Sequence, residues 1–247
     1  VTVRALDSGK VYTETYDKLL LAPGAKPTVP ALSGVSSERV FTLRTVEDTL
    51  RIRRFVEDQK PKTAVLAGGG FIGLEMAENL VEMGVSVTIV QRPKQLLAPL
   101  DADMASFVHA EMRRHGVALR LGETVTGFRQ DGDSVLTLLE ESEPLHSDMV
   151  LLAIGVTPDT HLAKDAGLRL GIRGSIAVNE RMETSVPDIY AVGDAVEVTH
   201  FVTGQKVLIS LAGPANKQGR IAADNICGGN SRFTGSQGSS VLKLFSL

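Results

Sequence analysis

The sequence is poor in cysteine and in aromatic residues. Its 247 residues include one cysteine, no tryptophan and only 4% aromatic residues. A single thiol, Cys227, cannot form an intrachain disulfide, which excludes a disulfide-stapled scaffold and is typical of a reducing cytoplasm. We therefore expect a cytoplasmic protein that folds around an ordinary hydrophobic core. The chain starts at Val1 within a strand-like alternation, which predicts that it was cut from something longer.

Strong charge and long apolar stretches are also lacking. The formal net charge is -3, so the chain has no long-range field that would attract nucleic acid or an anionic membrane. The longest apolar stretches, such as residues 149–156, are far shorter than the roughly 20 residues that a membrane helix needs. We therefore predict neither a nucleic-acid partner nor a membrane span.

Signatures of metal sites and of serine hydrolases are missing too. None of the five histidines pairs with another at a spacing typical of metal ligands, because His109 and His115 do not share a face of their predicted helix. No G-x-S-x-G turn is present to expose a nucleophilic serine. We predict no metal ion and no hydrolase chemistry of this kind.

The apolar pattern predicts alternating strands and helices. Thr45 is the expected cap of the first helix, with Asp48 at its third position. The expected helices are residues 46–58, residues 74–83, a helix capped by Asp101 or Asp103 and ended by Gly116, and residues 214–226. The expected strands lie on both sides of the turn at residues 7–9 and at residues 19–21, 64–67, 85–90, 117–121, 125–128, 135–139, 149–154, 176–178 and 187–194.

Residues 63–91 form one predicted βαβ unit, and a β-meander is expected after it. The run at residues 149–154 suits a strand that is buried on both faces of a sheet. The prolines at 23, 27 and 30 indicate a connector with a domain boundary soon after it. The predicted fold class is therefore α/β, with a three-layer Rossmann-like domain that contains a parallel sheet plus a β-meander.

A glycine-rich turn joins the first strand of this βαβ unit to its helix. Gly68 permits a tight turn, Gly70 lets a pyrophosphate approach the backbone, and Gly73 lets helix and strand pack closely; Phe71 and Ile72 complete the motif. The phosphates would lie at the helix N-terminus, where free amides and the helix dipole favour negative charge. The sequence predicts a dinucleotide site here, the alternative being a glycine turn without a ligand.

Gln91 ends the second strand of the unit, where an NAD site usually places an acid on the ribose hydroxyls. A neutral amide removes repulsion against a 2'-phosphate, and the neighbouring Arg92 guanidinium could pair with that phosphate. Lys94 adds a second positive charge. NADPH and NADH are both compatible with these residues, the alternative being that Arg92 and Lys94 are ordinary solvated charges.

Three separated motifs, residues 16–27, 68–75 and 184–194, resemble in order and spacing those of the FAD-dependent pyridine nucleotide-disulfide oxidoreductases. The resemblance implies that the dinucleotide-binding domain is inserted in a partial FAD-binding domain. It implies the following domains: a partial FAD-binding domain at 1–43, an NAD(P)-binding domain at 44–162, the FAD-binding domain continued at 163–232, and the start of a dimerisation domain at 233–247. The implied cofactors are FAD and NAD(P)H.

The resemblance also implies roles for single residues. Asp194 would accept a hydrogen bond from the flavin's ribityl chain and Gly193 would let FAD approach the backbone, whereas a plain capping role is the alternative for Asp194. Phe71 would shield the flavin until nicotinamide displaces it, or it is a core side chain. Glu75 would lie near the nicotinamide and the flavin, or it complements the helix dipole.

Further cofactor contacts are implied at the edges of these motifs. Pro23 and Gly24 belong to the turn that crosses from the FAD domain toward the NAD domain, and Gly155 to a segment near the bound nucleotide, although Gly155 could equally be a plain turn glycine. Ala212 begins the segment that would face the flavin's pyrimidine edge. Cys227 lies at a helix C-terminus, where the dipole disfavours a thiolate, and is expected to be structural.

The amino-acid sequences of these segments are most similar to those of the single-cysteine branch of the family. This branch includes coenzyme A-disulfide reductases, persulfide or polysulfide reductases, and NADH oxidases or peroxidases. This implies a homodimeric parent protein that passes hydride from NAD(P)H to FAD and on to a small disulfide, persulfide or peroxide, with its redox cysteine upstream of this chain. Two alternatives remain open. One is a cysteine-free reductase of the ferredoxin or monodehydroascorbate kind, and the other is a module that binds nucleotide without turnover.

Overall fold

The computed structural model describes residues 1–247 and divides the chain into two compact units. Unit 1 comprises Val1–Lys26 and Thr157–Ser240, and unit 2 comprises Pro27–Val156 and Val241–Leu247. In sequence, therefore, unit 2 is largely inserted between the two parts of unit 1. No helix in either unit combines the length and the apolar character needed to cross a bilayer.

Five α-helices and sixteen short strands make up the two units. The helices are α1 Val46–Gln59, α2 Phe71–Glu82, α3 Ala102–Arg114, α4 His161–Asp165 and α5 Ala212–Ile226. The strands are β1 Thr2–Arg4, β2 Val11–Thr13, β3 Leu19–Leu21, β4 Ala25–Pro27, β5 Val40–Thr42, β6 Thr63–Ala67, β7 Ser86–Gln91, β8 Ala118–Leu121, β9 Val125–Asp131, β10 Ser134–Leu139, β11 Leu145–Ser147, β12 Met149–Leu152, β13 Val156–Pro158, β14 Ile189–Ala191, β15 Val198–Thr199 and β16 Lys206–Val207.

The centre of unit 2 is a parallel sheet with strand order β5-β12-β6-β7-β8. Its middle strands are apolar on both faces, so Leu66, Ile89 and Leu151 are fully buried. One face packs on residues of α1, α2 and α3, and the other packs on Phe128 and Val135 of a second, antiparallel sheet. This arrangement confirms the predicted α/β class with its parallel sheet.

The start of α1 is as predicted. The Thr45 hydroxyl accepts from the Asp48 amide at 3.2 Å and the Asp48 carboxylate accepts from the Thr45 amide at 3.0 Å, which is a complete capping box. Helix α3 starts after Asp101, but no side-chain cap bond is made there. The boundary of α3 therefore follows the prediction, while the side-chain cap is absent.

One strand of the β-meander is not the one that was predicted. The hairpin at residues 131–132 joins β9 to β10 as expected, but the third strand is β11. The predicted strand at 117–121 instead becomes β8, which pairs parallel to β7. Because β8 follows the crossover helix α3, a parallel position beside β7 is the favoured outcome for it.

Unit 1 pairs the exposed strands β1 and β2, and it pairs β3 with β14 at its own core, in which Ile176, Met182 and Ala191 are fully buried or nearly so. The prediction of a strand at residues 176–178 is wrong. Ile176 forms only isolated bridges, to Leu170 on one side and Val196 on the other, so no ladder extends beyond it. Its apolar run reflects burial and not strand pairing.

The Glu111 carboxylate of α3 fastens the segment 241–247 within unit 2. Its Oε1 accepts from the Ser246 amide at 3.1 Å and from the Ser246 hydroxyl at 2.9 Å, and Arg114 approaches Oε2 at 2.8 Å. These donors, the Ser246 amide first, lower the pKa of Glu111 to about 2. Leu244 of the same segment is buried in the core of unit 2.

Acid is therefore expected to remove a stabilising contribution from Glu111. A carboxyl with a lowered pKa stabilises the fold above its ordinary value of 4.5, and this contribution disappears as the pH falls toward 2. We expect Glu111→Gln to be less stable than the unsubstituted chain near neutral pH and to lose less stability on acidification to about pH 3. Urea midpoints at both pH values measure this, and equal losses for the two proteins would contradict it.

Candidate functional site

A cavity of about 670 Å³ opens at the carboxyl edge of the parallel sheet in unit 2. The segments that follow β6, β7 and β12 line it, at residues 67–71, 90–93 and 152–155, together with residues 97–99 and 123–125. Loops at the carboxyl ends of adjacent parallel strands are where open α/β sheets bind ligands. The predicted glycine turn therefore lies on the wall of this cavity.

Two glycines of the turn are required by close backbone packing. Gly68 has a φ of +117°, and a Cβ there would lie 2.3 Å from the Ala153 carbonyl oxygen. A Cβ at Gly73 would lie 2.1 Å from the Gly68 carbonyl oxygen. Each distance is far below van der Waals contact, so α2 reaches its position against the strands only because both side chains are absent.

No protein contact requires a glycine at position 70. Gly70 is the N-cap residue of α2, it makes no side-chain cap bond, and a Cβ there would meet no protein atom within 4 Å. The space beside Gly70, at the N-terminus of α2, is therefore open to the cavity. Free amides at a helix N-terminus bind phosphate groups well, so the residues present fit the pyrophosphate of a dinucleotide.

The Gln91 amide is engaged with the turn. Its Oε1 accepts from the Gly69 amide at 2.9 Å, and its Nε2 donates to the Gln95 carbonyl at 3.3 Å. Sequence reasoning identified Gln91 as a cavity residue but missed this contact, which orders the middle of the glycine turn. Arg92 also lines the cavity, is exposed, and is held by no hydrogen bond or ion pair within the chain.

The other predicted residues of unit 2 fall into two groups. Phe71 lines the cavity with 37% of its surface exposed, so it is not a core side chain, and Gly155, with a φ of +113°, lines the cavity as well. Glu75 is exposed one turn into α2, while Ile72 is half-buried. Glu75, Ile72 and Gly73 were also predicted to contact a cofactor, but they do not line the cavity.

In unit 1, Gly193 and Asp194 form a single 3-10 turn, residues Gly193–Ala195. Gly193 has a φ of +80°, and open space lies where its side chain would be, which fits the close approach of a cofactor. Its amide donates to Oε1 of Gln218 at 2.7 Å, and Gln218 on α5 is 1% exposed. Sequence reasoning missed Gln218, although a polar residue on the buried face of an amphipathic helix signals such a role.

The remaining predicted residues of unit 1 lie at element ends. Pro23 is exposed two residues after the end of β3, and the carbonyl of Gly24, which has a φ of +72°, accepts from the Asp159 amide at 2.9 Å. Ala212 is the first residue of α5. Cys227 is the C-cap residue of α5 and is exposed, so it is not packed in a core; that it is structural stays a prediction.

No group of three or more histidine, cysteine or acidic side chains is close enough together to hold a metal ion. The glycine turn, the open helix N-terminus and the carboxyl edge of a parallel sheet define the class of dinucleotide-binding α/β proteins. The family model for the pyridine nucleotide-disulphide oxidoreductases matches residues 1–219, and the chain belongs to that family.

Among its relatives, an NAD(P)H sulfur oxidoreductase (CoA-dependent) from Pyrococcus abyssi is 39% identical over 98% of this chain and 54% of its own length. An NADH oxidase from Methanocaldococcus jannaschii is 38% identical over 96% of this chain and 52% of its own length. The crystal structure of reduced Bacillus anthracis CoADR-RHD has a TM-score of 0.94 and 46% identity, over 99% of this chain and 44% of that one. The chain thus spans about half the length of the curated relatives it matches.

Proposed function

We propose that the chain is the nucleotide-binding part of an FAD-dependent NAD(P)H oxidoreductase that reduces a small sulfur substrate, a disulfide or persulfide of the coenzyme A or polysulfide type. The observation that carries the proposal is the glycine turn, in which Gly68 and Gly73 serve packing while Gly70 alone leaves open space at a helix N-terminus. The named activity of the Pyrococcus abyssi relative supports the sulfur substrate. The Methanocaldococcus jannaschii relative supports NADH oxidase or peroxidase chemistry as the second candidate.

Each residue of unit 2 has a task in this proposal. The amides at Gly70 and the start of α2 bind the pyrophosphate, while exposed Phe71 covers the nicotinamide end of the cavity. Glu75 would lie beside the nicotinamide. Arg92 stands free to pair with a 2'-phosphate, and the amide of Gln91 brings no negative charge to repel it, so both NADH and NADPH are accepted.

In unit 1, Gly193 would let FAD approach the backbone and Asp194 would accept from its ribityl hydroxyls, with Pro23, Gly24 and Ala212 as further neighbours. When bound, FAD supplies two-electron chemistry between the nicotinamide nucleotide and sulfur. In this proposal Val1–Lys26 and residues 157–232 of unit 1 belong to the FAD-binding domain, and residues 233–247 to the start of a dimerisation domain. We propose a cytoplasmic homodimer for the whole protein; the single cysteine of this chain suits a reducing compartment.

Gly70→Ala tests the proposed nucleotide site. The new methyl group meets no protein atom within 4 Å, so the fold should be unchanged, while the methyl occupies space needed by the pyrophosphate. We expect NADH and NADPH to bind at least about tenfold more weakly, with only a small fall in the thermal midpoint because alanine is a poorer N-cap residue than glycine. Gly219→Ala on α5 also meets no protein atom within 4 Å and serves as the matched control, with unchanged affinity. Equal affinities for both variants would refute the site.

A flavin spectrum separates the candidate functions. A purified protein whose visible flavin absorbance is bleached by NADH or NADPH supports the oxidoreductase, whereas a colourless protein that still binds dinucleotide supports a binding module. In the whole protein, turnover with a disulfide or persulfide supports the sulfur substrate, and turnover with oxygen or peroxide alone supports the second candidate. A cysteine in the sequence upstream of Val1 favours both over a cysteine-free reductase.

A further inference from the structure

The loop at residues 92–100, between β7 and α3, forms one side of the cavity in unit 2. It packs directly on the glycine turn. The Leu97 amide donates to the Gly69 carbonyl at 2.9 Å, and a Cβ at Gly69 would lie 2.3 Å from the Leu96 side chain. The position of this loop and that of the phosphate-binding turn are therefore coupled.

The loop carries a strained residue. Leu97 has a φ of +47°, in the left-handed region that a leucine rarely adopts, although it is 5% exposed and lines the cavity. Such a conformation persists only where the surrounding contacts hold it. The Gln95 side chain holds the far end of the loop by donating to the Leu100 carbonyl at 2.7 Å.

His109 of α3 holds the loop beside that strained residue. Its Nε2 lies 3.0 Å from the backbone nitrogen of Leu96, which is fully buried. Because a backbone N–H can only donate, Nε2 must carry no proton and act as the acceptor. Burial and then the charge of Arg113 lower the pKa of His109, and both favour the neutral ring that this hydrogen bond needs.

We propose that His109 is a positioning residue for the dinucleotide, holding the loop 92–100 against the glycine turn so that the cavity is preformed. The inference rests on the proposed nucleotide site but adds a residue that does not line the cavity and lies outside the glycine motif. Without the acceptor, the buried Leu96 amide lacks a partner, and the loop relaxes by moving away from the turn. Part of the binding energy would then be spent on restoring the loop.

His109→Gln and His109→Asn form a matched pair that tests this role. Both carry the same amide, but only glutamine extends its oxygen about as far as Nε2 of histidine, while asparagine is one methylene too short. We expect His109→Asn to bind NADH and NADPH about tenfold more weakly than the unsubstituted chain. His109→Gln should stay within about threefold of it.

Hydrogen exchange of the free protein provides a readout that does not depend on nucleotide. In His109→Asn, amides at residues 92–100 should exchange faster while those of the parallel sheet keep their protection. Equal affinity and equal loop protection for both variants would overturn the proposal, as would an equal loss in both, because that marks a general packing defect. Absence of binding by the unsubstituted chain would instead overturn the proposed nucleotide site, whatever the exchange data show for the loop. In that case the exchange rates of residues 92–100 in His109→Asn would still show whether His109 orders the loop.

Discussion

Replacement of Gly73 by alanine is expected to destabilise unit 2 by about 3 kcal/mol and to lower its thermal midpoint by roughly 10 °C. The added Cβ would lie 2.1 Å from the Gly68 carbonyl oxygen and 3.5 Å from the Ala153 side chain. Backbone atoms cannot rotate away from such a contact, so α2 must move off the sheet. Because α2 also presents the amides of the cavity, dinucleotide affinity should fall together with stability.

Calorimetric unfolding of the variant, combined with a dinucleotide titration, measures both effects. Gly70→Ala is the informative comparison, since it adds the same methyl group three residues earlier and should weaken binding with little change in melting. A Gly73→Ala protein that melts and binds like the unsubstituted chain would show that helix and turn are not packed as closely as described. If the two units melt in separate transitions, only the transition of unit 2 should shift to a lower temperature.

The glycine turn could be predicted from sequence because its spacing encodes local geometry, and the capping box at Thr45 could be predicted for the same reason. Helix starts were less well predicted. Helix α2 begins at Phe71, three residues before the predicted start, because Gly70 acts as its N-cap residue. Helix α5 begins at Ala212, two residues before the predicted start, because a proline such as Pro214 is tolerated within the first helical turn.

Contacts between distant residues could not be predicted. The Gln91 side chain bonds the Gly69 amide across 22 positions of sequence, and Gln218 bonds the Gly193 amide across 25. The choice of β7 as the partner of β8 is equally non-local, since apolar alternation defines a strand but not its neighbour. These contacts arise only when the sheet and helices assemble, and the same contacts order both glycine turns of the chain.

Gln218→Leu is therefore expected to lower the free energy of unfolding of unit 1 by about 1 kcal/mol, because the half-buried Gly193 amide loses its acceptor, the side chain of the buried Gln218. The turn at Gly193 and Asp194 would relax, and the whole protein should be purified with markedly less flavin than normal. Gln205→Leu makes the same chemical change at an exposed side chain of unit 1 and is the matched control.

Urea unfolding of the chain and flavin content of the whole protein measure the two effects separately. Reduced stability with normal flavin content would restrict Gln218 to a structural role, whereas loss of both supports its role in ordering the turn for FAD. If Gln218→Leu and Gln205→Leu unfold at the same urea concentration, the 2.7 Å bond to Gly193 contributes nothing to unit 1. Either result decides whether the turn is held by α5 or by its own glycine, since the positive φ of Gly193 is available with or without the glutamine.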